Sequence, residues 1–459
     1  MSTQGPSIAE NRAGGSSRKT VSASASSTHA RRVARRTAAL GLACGLTVAG
    51  LLAAATPALA YTSTPDPGYG TGGVVTFADT YPSALAADGE HTLALVVGLG
   101  ATGGNNKLYR LAADGSLDTS YGKGKGWFGT SLDNTWFSVT ADTRGRAVLA
   151  GVGDTGRGPV PVVARVRADG TLDTSFGRHG FTRFGGKRLS PMSAGVDAKG
   201  RVLVLSTRNV GSQRRPVYDS CVTRLRTTGA LDHRFGTSGT ACVDVSKDEQ
   251  PAAFATDGRG RILVVGGGAT HSPRSWVLRL RSTGRLDRTF GTGGVARIRF
   301  APKQQSAATS VAVVRGRLVV GAIVQASSKP LGSGGAMQAG AFRLLPGGRV
   351  DVSYARHGRA RLPMPSPQAV MYSILAAPDG SVVALGESNG TKPDALVGAL
   401  TPKGAPDAGI APQGWVVVPG TVSNTYALGA ALTPTRLLVM SGQFGATTGA
   451  TLVTALQRS

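Results

Sequence analysis

One short phrase returns seven times in these 459 residues: an aspartate, an aromatic residue three positions on, a glycine, and in most copies a second glycine three further. Clear copies begin at Asp118, Asp173, Asp232, Asp287 and Asp351, as in Asp173-Thr-Ser-Phe176-Gly177-Arg-His-Gly180. Worn copies begin at Asp66 (Tyr69-Gly70) and at Asp407 (Ile410-Ala411). The aspartates are spaced by 52, 55, 59, 55, 64 and 56 residues. A period of that length belongs to an array of supersecondary units, each too small to bury a core alone.

Every unit reads the same way. A strand of small residues (Ser138-Val-Thr-Ala, Ala252-Ala-Phe-Ala) runs into a tight turn such as Asp88-Gly89, Arg144-Gly145, Lys199-Gly200, Arg259-Gly260 or Asp379-Gly380. Those turn residues accept the positive φ of a short hairpin. A β-branched apolar strand follows (Ile262-Leu-Val-Val-Gly266), then a loop of variable length and a third strand (Val277-Leu-Arg-Leu280). The aspartate phrase leads into a fourth, as in Val295 to Phe300. Four short strands per unit and no helical periodicity predict an all-β fold, a seven-bladed β-propeller of four-stranded blades. The small-residue strand suits the crowded position at the axis. The last unit stops after its third strand, and Asp66 to Phe77 is an orphan fourth. An N-terminal strand joining the C-terminal blade would therefore close the ring and leave no open end. A linear β-solenoid is the competing geometry, although its repeats are usually far shorter.

The stretch Val163-Ala-Arg-Val-Arg-Ala-Asp-Gly170-Thr-Leu-Asp173-Thr-Ser-Phe176-Gly177 resembles the delta-60 repeat of bacterial proteins, a propeller-forming repeat. The resemblance spans essentially all of residues 61–459, recurs clearly in five copies, and departs where Leu-Asp becomes Pro-Asp at Asp66 and Asp407. It implies fold and export, and brings no set of catalytic residues.

Residues 1–60 read as a leader. Arg31-Arg32 and Arg35-Arg36 precede an apolar run from about Ala38 to Ala55 and an Ala-Leu-Ala60 end, a secretory signal cleaved after Ala60 that loosely resembles a twin-arginine signal. The leader holds seven of the 51 Lys and Arg and one of the 25 Asp and Glu, which leaves 44 against 24, a surplus of 20 positive charges. Such a surplus favours anionic partners. A solubilising surface is the alternative, because the basic residues are spread over every repeat. Cys221 and Cys242 remain after cleavage and suggest one disulfide in an oxidising compartment, with two buried thiols as the alternative.

The repeated aspartates read as structural. Arg110, Arg165, Arg224, Arg279 and Arg343 stand eight residues before Asp118, Asp173, Asp232, Asp287 and Asp351, so an Arg–Asp pair is expected in each third-to-fourth-strand connection. Ala399 and Ala455 occupy that position ahead of the worn phrases. Calcium binding by these carboxylates is the competing reading. Acids without a repeat role include Asp133, Asp154, Asp219 and Glu387; their convergence on one pocket would indicate a propeller hydrolase or lyase acting on polysaccharide. Histidines 179, 233 and 357 recur in loops, no His or Cys spacing suggests a metal, and no nucleophile elbow or phosphate loop occurs. Neither metal nor cofactor is expected.

Loops between second and third strands vary most, and together with the fourth-to-first connections they share one face. A ligand site is expected there, near the channel mouth, with Arg208, Arg214, Arg215, His271 and Arg274 as its basic residues. The expected role is an exported, monomeric, non-catalytic binding or scaffold module at the bacterial cell envelope or outside it. Its partner would be an anionic cell-wall polymer or another protein. An intracellular nucleic-acid binder fits the leader poorly, and no run of basic and aromatic residues offers bases a stacking platform.

Overall fold

The computed structural model describes residues 61–459 apart from 100–105, 130–133, 155–157, 187, 213–216, 246–248, 269–273, 302–303, 326–336, 363, 365–368, 389–392, 419–424, 445–448 and 459. The described residues form 29 strands and no helix. Two strands lead, β1 (Tyr61–Pro65) and β2 (Val74–Ala78). Blade 1 comprises β3 (Thr80–Asp88), β4 (His91–Gly98), β5 (Asn106–Leu111) and β6 (Trp127–Gly129). Blade 2 comprises β7 (Asn134–Ala141), β8 (Ala147–Asp154), β9 (Pro159–Val166) and β10 (Phe181–Arg183). Blade 3 comprises β11 (Leu189–Val196), β12 (Val202–Asn209), β13 (Tyr218–Leu225) and β14 (Thr240–Val243). Blade 4 comprises β15 (Glu249–Thr256), β16 (Ile262–Gly268), β17 (Ser275–Leu280) and β18 (Val295–Ile298). Blade 5 comprises β19 (Gln305–Val314), β20 (Arg317–Gln325), β21 (Met337–Leu344) and β22 (Arg359–Leu362). Blade 6 comprises β23 (Val370–Ala376), β24 (Val382–Glu387), β25 (Ala395–Leu400) and β26 (Trp415–Val417), and β27 (Thr425–Leu432), β28 (Arg436–Phe444) and β29 (Gly449–Arg458) belong to blade 7.

Each blade is an antiparallel meander, and the seven together make the propeller that the repeat predicts. The closing strand is the expected one: β2 pairs with β29 from Val74↔Thr454 to Ala78↔Ala450, and β1 pairs with the same strand at Tyr61↔Arg458 and Pro65↔Leu456. Ring closure thus couples the two ends of the described chain, and it satisfies an edge that would otherwise expose unpaired backbone groups.

First strands of neighbouring blades touch, as β27 does β3, β3 does β7, β15 does β19 and β19 does β23, which puts the small-residue strands innermost. Larger residues fill the layers between blades. One such layer joins Leu263, Val265 and Phe290 of blade 4 to Val311, Val320 and Phe342 of blade 5. Every first strand also carries a register shift at the same place, between Pro82/Ala84, Trp136/Ser138, Pro191/Ser193, Pro251/Ala253, Ala308/Ser310, Met371/Ser373 and Ala427/Gly429. A bulge of this kind adds twist to the strand. Proline at 82, 191 and 251 was the available sequence sign, since proline within a sheet favours bulges.

The predicted disulfide is present. Cys221 on β13 faces Cys242 on β14 across the ladder, with Cα atoms 4.1 Å apart, and it ties the outermost strand of blade 3 to its neighbour.

Candidate functional site

Because blades 1 to 6 are up-and-down meanders, the first-to-second and third-to-fourth connections share one face, here the turn face, and the remaining connections share the loop face. The aspartate phrase builds the turn face. In all seven copies the aspartate N–H donates to the carbonyl eight residues earlier in the repeat, from Asp118 to Arg110 (3.0 Å) through Asp407 to Ala399 (2.9 Å). In the closing blade the same bond joins Asp66 to Ala455 (2.9 Å).

The side chains form a clasp between blades. Arg279 Nε donates to Asp287 Oδ2 (2.8 Å), its guanidinium lies 4.6 Å over the Phe290 ring, and its Nη1 donates to the Pro346 carbonyl of blade 5. Arg165 and Arg224 repeat the pattern with Asp173 (2.7 Å), Phe176 and Thr227, and with Asp232 (2.9 Å), Phe235 and Ser282. Arg343 pairs with Asp351 at 2.8 Å, and Arg110 lies 3.6 Å from Asp118 while bonding Asp88 at 3.0 Å. The phrase glycine completes the clasp by donating its N–H to the next blade's turn, as Gly236 does to Thr283 (2.9 Å) and Gly291 to Gly347 (2.8 Å). Opposite it stands a turn glycine with no room for a side chain: a Cβ on Gly170 (φ +78°) would lie 2.2 Å from the Gly122 nitrogen.

The two worn phrases have different fates. At Asp66 an arginine from a different strand takes over. Arg436 of β28 donates Nε to Asp66 Oδ2 (2.6 Å), covers Tyr69, and reaches the Ala113 carbonyl of blade 1 (2.7 Å). At Asp407 there is no ion pair among the described residues. Blade 7 has no third-to-fourth turn, because β29 and β2 come from opposite ends of the strand order, so the blade 6 phrase has no such turn to grip.

These environments separate the carboxylates electrostatically. Burial pushes Asp287 up, but the Thr289 hydroxyl and the Arg279 charge outweigh it and hold the group below the ordinary aspartate value. Asp66, Asp118, Asp173 and Asp232 are depressed for the same reasons, and Asp351 chiefly through Ser353. Asp407 is raised, by burial first and then by the Asp379 charge. Burial also pushes the Tyr69 hydroxyl up to about 12.

Of the five residues expected to form a loop-face site, Arg208 is tied to Asp219 (2.6 Å), Arg274 is exposed just ahead of β17, and Arg214, Arg215 and His271 lie outside the described residues. Among the acids considered for catalysis, Asp154, Asp219 and Glu387 belong to blades 2, 3 and 6, and Asp133 lies outside the described residues. Among the described residues no three His, Cys, Asp or Glu side chains group as metal ligands would, and no helix is long and apolar enough to cross a membrane.

The feature the sequence concealed is where the positive charge sits. In blades 2, 3 and 4 the first turn reads Asp-x-Arg/Lys-Gly-Arg. The aspartate accepts the turn's own N–H groups and binds the second arginine, as Asp142 does Arg146 (2.6 Å), Asp197 does Arg201 (2.7 Å) and Asp257 does Arg261 (2.6 Å). The middle cation, Arg144, Lys199 or Arg259, points to solvent with no carboxylate in ion-pair range among the described residues. Arg315 is its exposed counterpart in blade 5. A shallow cleft of about 780 Å³ also opens on the turn face at the seam of blades 7 and 1, lined by Gly70–Gly72, Val74–Thr76 and Asp114–Ser116.

Two stretches, 95–121 and 145–176, match the model of a domain of unknown function described as a β-propeller (DUF5122), which supports a β-propeller repeat family. No curated protein matches the chain. Among solved structures it is similar to the β-propeller domain of the Trilobed protease from Pyrococcus furiosus (8% identity, TM-score 0.45, 82% of this chain and 94% of that one). It is also similar to a polysaccharide lyase of family PL25, an ulvan lyase (10% identity, TM-score 0.44, 88% and 96%). A third likeness is to the acylaminoacyl peptidase of Pyrococcus horikoshii (8% identity, TM-score 0.44, 79% and 49%), of which this chain spans about half the length. The family match and the chain's own sheet topology agree that it is a β-propeller built of repeats.

Proposed function

We propose that residues 61–459, freed of residues 1–60 as a secretory leader, act as a non-catalytic binding module for an anionic polymer at the cell envelope or outside it. One observation carries this reading: six of the seven repeat aspartates are paired internally with arginine, while Arg144, Lys199 and Arg259 stand exposed with no carboxylate in ion-pair range among the described residues. A polyanion therefore meets exposed cations that no carboxylate of the protein neutralises, an arrangement that speeds encounter and favours retention. The disulfide suits an oxidising compartment. Asp219, one of the acids available for catalysis, is engaged by Arg208.

The test is co-sedimentation of residues 61–459 with purified anionic cell-wall polymer at low salt and at about 0.5 M, where screening shortens the range of exposed charges to a few ångströms. Retention at low salt with partial loss at high salt is the expected result. A protein that stays in the supernatant at low salt would overturn the reading.

A further inference from the structure

We propose that the turn-face mouth of the central channel, over blades 2 to 5, is the binding surface for an acidic polysaccharide, with Arg144, Lys199, Arg259 and Arg315 as its inner row of contacts. The proposal rests on the anionic-polymer reading above and assigns that reading a place and a ligand class.

The first-to-second hairpin is the innermost turn of each blade, so these four residues occupy equivalent positions around the axis on consecutive blades. All four are exposed. The row follows blades 2 to 5 in order around the axis, one cation to a blade. The corresponding turns of the other blades carry no such cation: blade 1 reads Gly89-Glu90, blade 6 has Asp379 bound to Arg458 (2.8 Å), and blade 7 reads Pro434-Thr435, with Thr435 bonded to Glu90 (2.9 Å). The cations therefore cover one sector of the mouth and leave the other neutral or acidic. Further out, Arg167, Arg226 and Arg281 form a second arc on blades 2 to 4, each exposed and only loosely drawn (3.7 to 4.0 Å) to an aspartate already held by another arginine.

Arg315 adds an independent sign. Its φ is +48°, in a two-residue turn with Gly316 where asparagine or glycine would sit without strain. A long cation kept in that conformation is not what the turn itself selects.

The chemistry of the row favours a polysaccharide over nucleic acid. Guanidinium forks match carboxylate and phosphate alike, so charge fits either polymer and base stacking decides between them. Single-stranded nucleic acid would want exposed rings for stacking, and Phe176, Phe235, Phe290 and Tyr354 of these blades are buried beneath their arginines.

The experiment measures binding of residues 61–459 to hyaluronan of ten disaccharides at 0.15 M salt. It compares the wild type with a turn-face variant (Arg144→Gln, Lys199→Gln, Arg259→Gln, Arg315→Asn) and a loop-face variant of equal charge loss (Arg183→Gln, Arg188→Gln, Arg274→Gln, Arg299→Gln). Melting curves confirm that each is folded, and Arg315→Asn alone serves as the variant whose turn is relieved of strain. A drop of about tenfold or more in the turn-face variant, with the loop-face variant little changed, is expected. Equal binding by wild type and turn-face variant would overturn the placement and leave the anionic-polymer reading intact. Failure of the wild type to bind any polyanion would overturn both. Tighter binding of a single-stranded DNA carrying the same number of anions would overturn the polysaccharide assignment.

Discussion

Asp287 and Asp407 occupy the same position in the repeat and should respond oppositely to loss of charge. Asp287 accepts from Arg279 Nε (2.8 Å) and from the Thr289 hydroxyl (2.8 Å), and the side chains of the pair are 5% and 7% exposed. Asp287→Asn keeps the shape and the Thr289 contact, but turns an N–H group toward Arg279 and leaves a buried guanidinium without its counter-charge. Breaking a buried pair from one side costs about 3–5 kcal/mol, and an exposed one about 0–1. This pair lies dry but close to the rim of the turn face, so about 2–3 kcal/mol is expected. At about 2.1 cal/mol/K per residue over residues 61–459, that is a fall of about 3 °C in the calorimetric midpoint at pH 7. Asp407→Asn removes a carboxylate whose protonation folding already favours, and its Oδ1 bond from the Gly409 N–H (3.0 Å) survives in the amide. It should leave the midpoint unchanged or raise it. The sign follows from linkage. A depressed group such as Asp287 contributes stability that is present above its unfolded value and is lost as the pH falls through its lower folded value, whereas a raised group such as Asp407 opposes folding at neutral pH and is relieved by acid. Melting both variants between pH 7 and pH 3 checks each statement. Equal losses in the two, or a loss in Asp287→Asn too small to measure, would refute the claim that the clasp is held by its ion pair.

Three further outcomes follow from the geometry. Reducing the Cys221–Cys242 bridge, which closes a loop of 21 residues, should cost about 3 kcal/mol by the chain-entropy account, visible as a lower melting midpoint in dithiothreitol that the Cys221→Ala/Cys242→Ala protein does not share. Gly170→Ala should destabilise far more than Gly89→Ala in denaturant titrations, because both have positive φ but only the former drives a Cβ into the neighbouring blade. Deleting residues 61–78 should lower the melting midpoint and promote aggregation measured by light scattering, since β29 would lose both β1 and β2 and become an open edge.

Much of this fold was legible in order. Strands alternate, turns punctuate, and the repeat phrase recurs at a fixed period, and each of these is local chemistry that a short window carries. Even ring closure could be read, because an orphan fourth strand at one end and a blade lacking one at the other are complementary. The pairing of Arg165 with Asp173 was legible because both residues belong to one connection and stand eight apart.

What joins blades, or residues far apart along the chain, was not. The substitution of Arg436 for the arginine missing at Ala455 depends on two strands of one sheet placing side chains at the same spot. The loss of the arginine at Ala399 gains its reason only in the ring, where the Asp407 phrase faces a blade with no turn to grip. The same holds for charge. Along the chain the basic residues look evenly spread, and only a propeller that stacks equivalent turns around one axis gathers Arg144, Lys199, Arg259 and Arg315 into a row. The sequence by itself determined the repeat, the strand order and the closing strand, because hydrophobic period and turn chemistry act over a few residues. Only the tertiary structure decided the inter-blade clasps and the cationic sector, because those arise from contacts and proximities between residues roughly a full repeat apart.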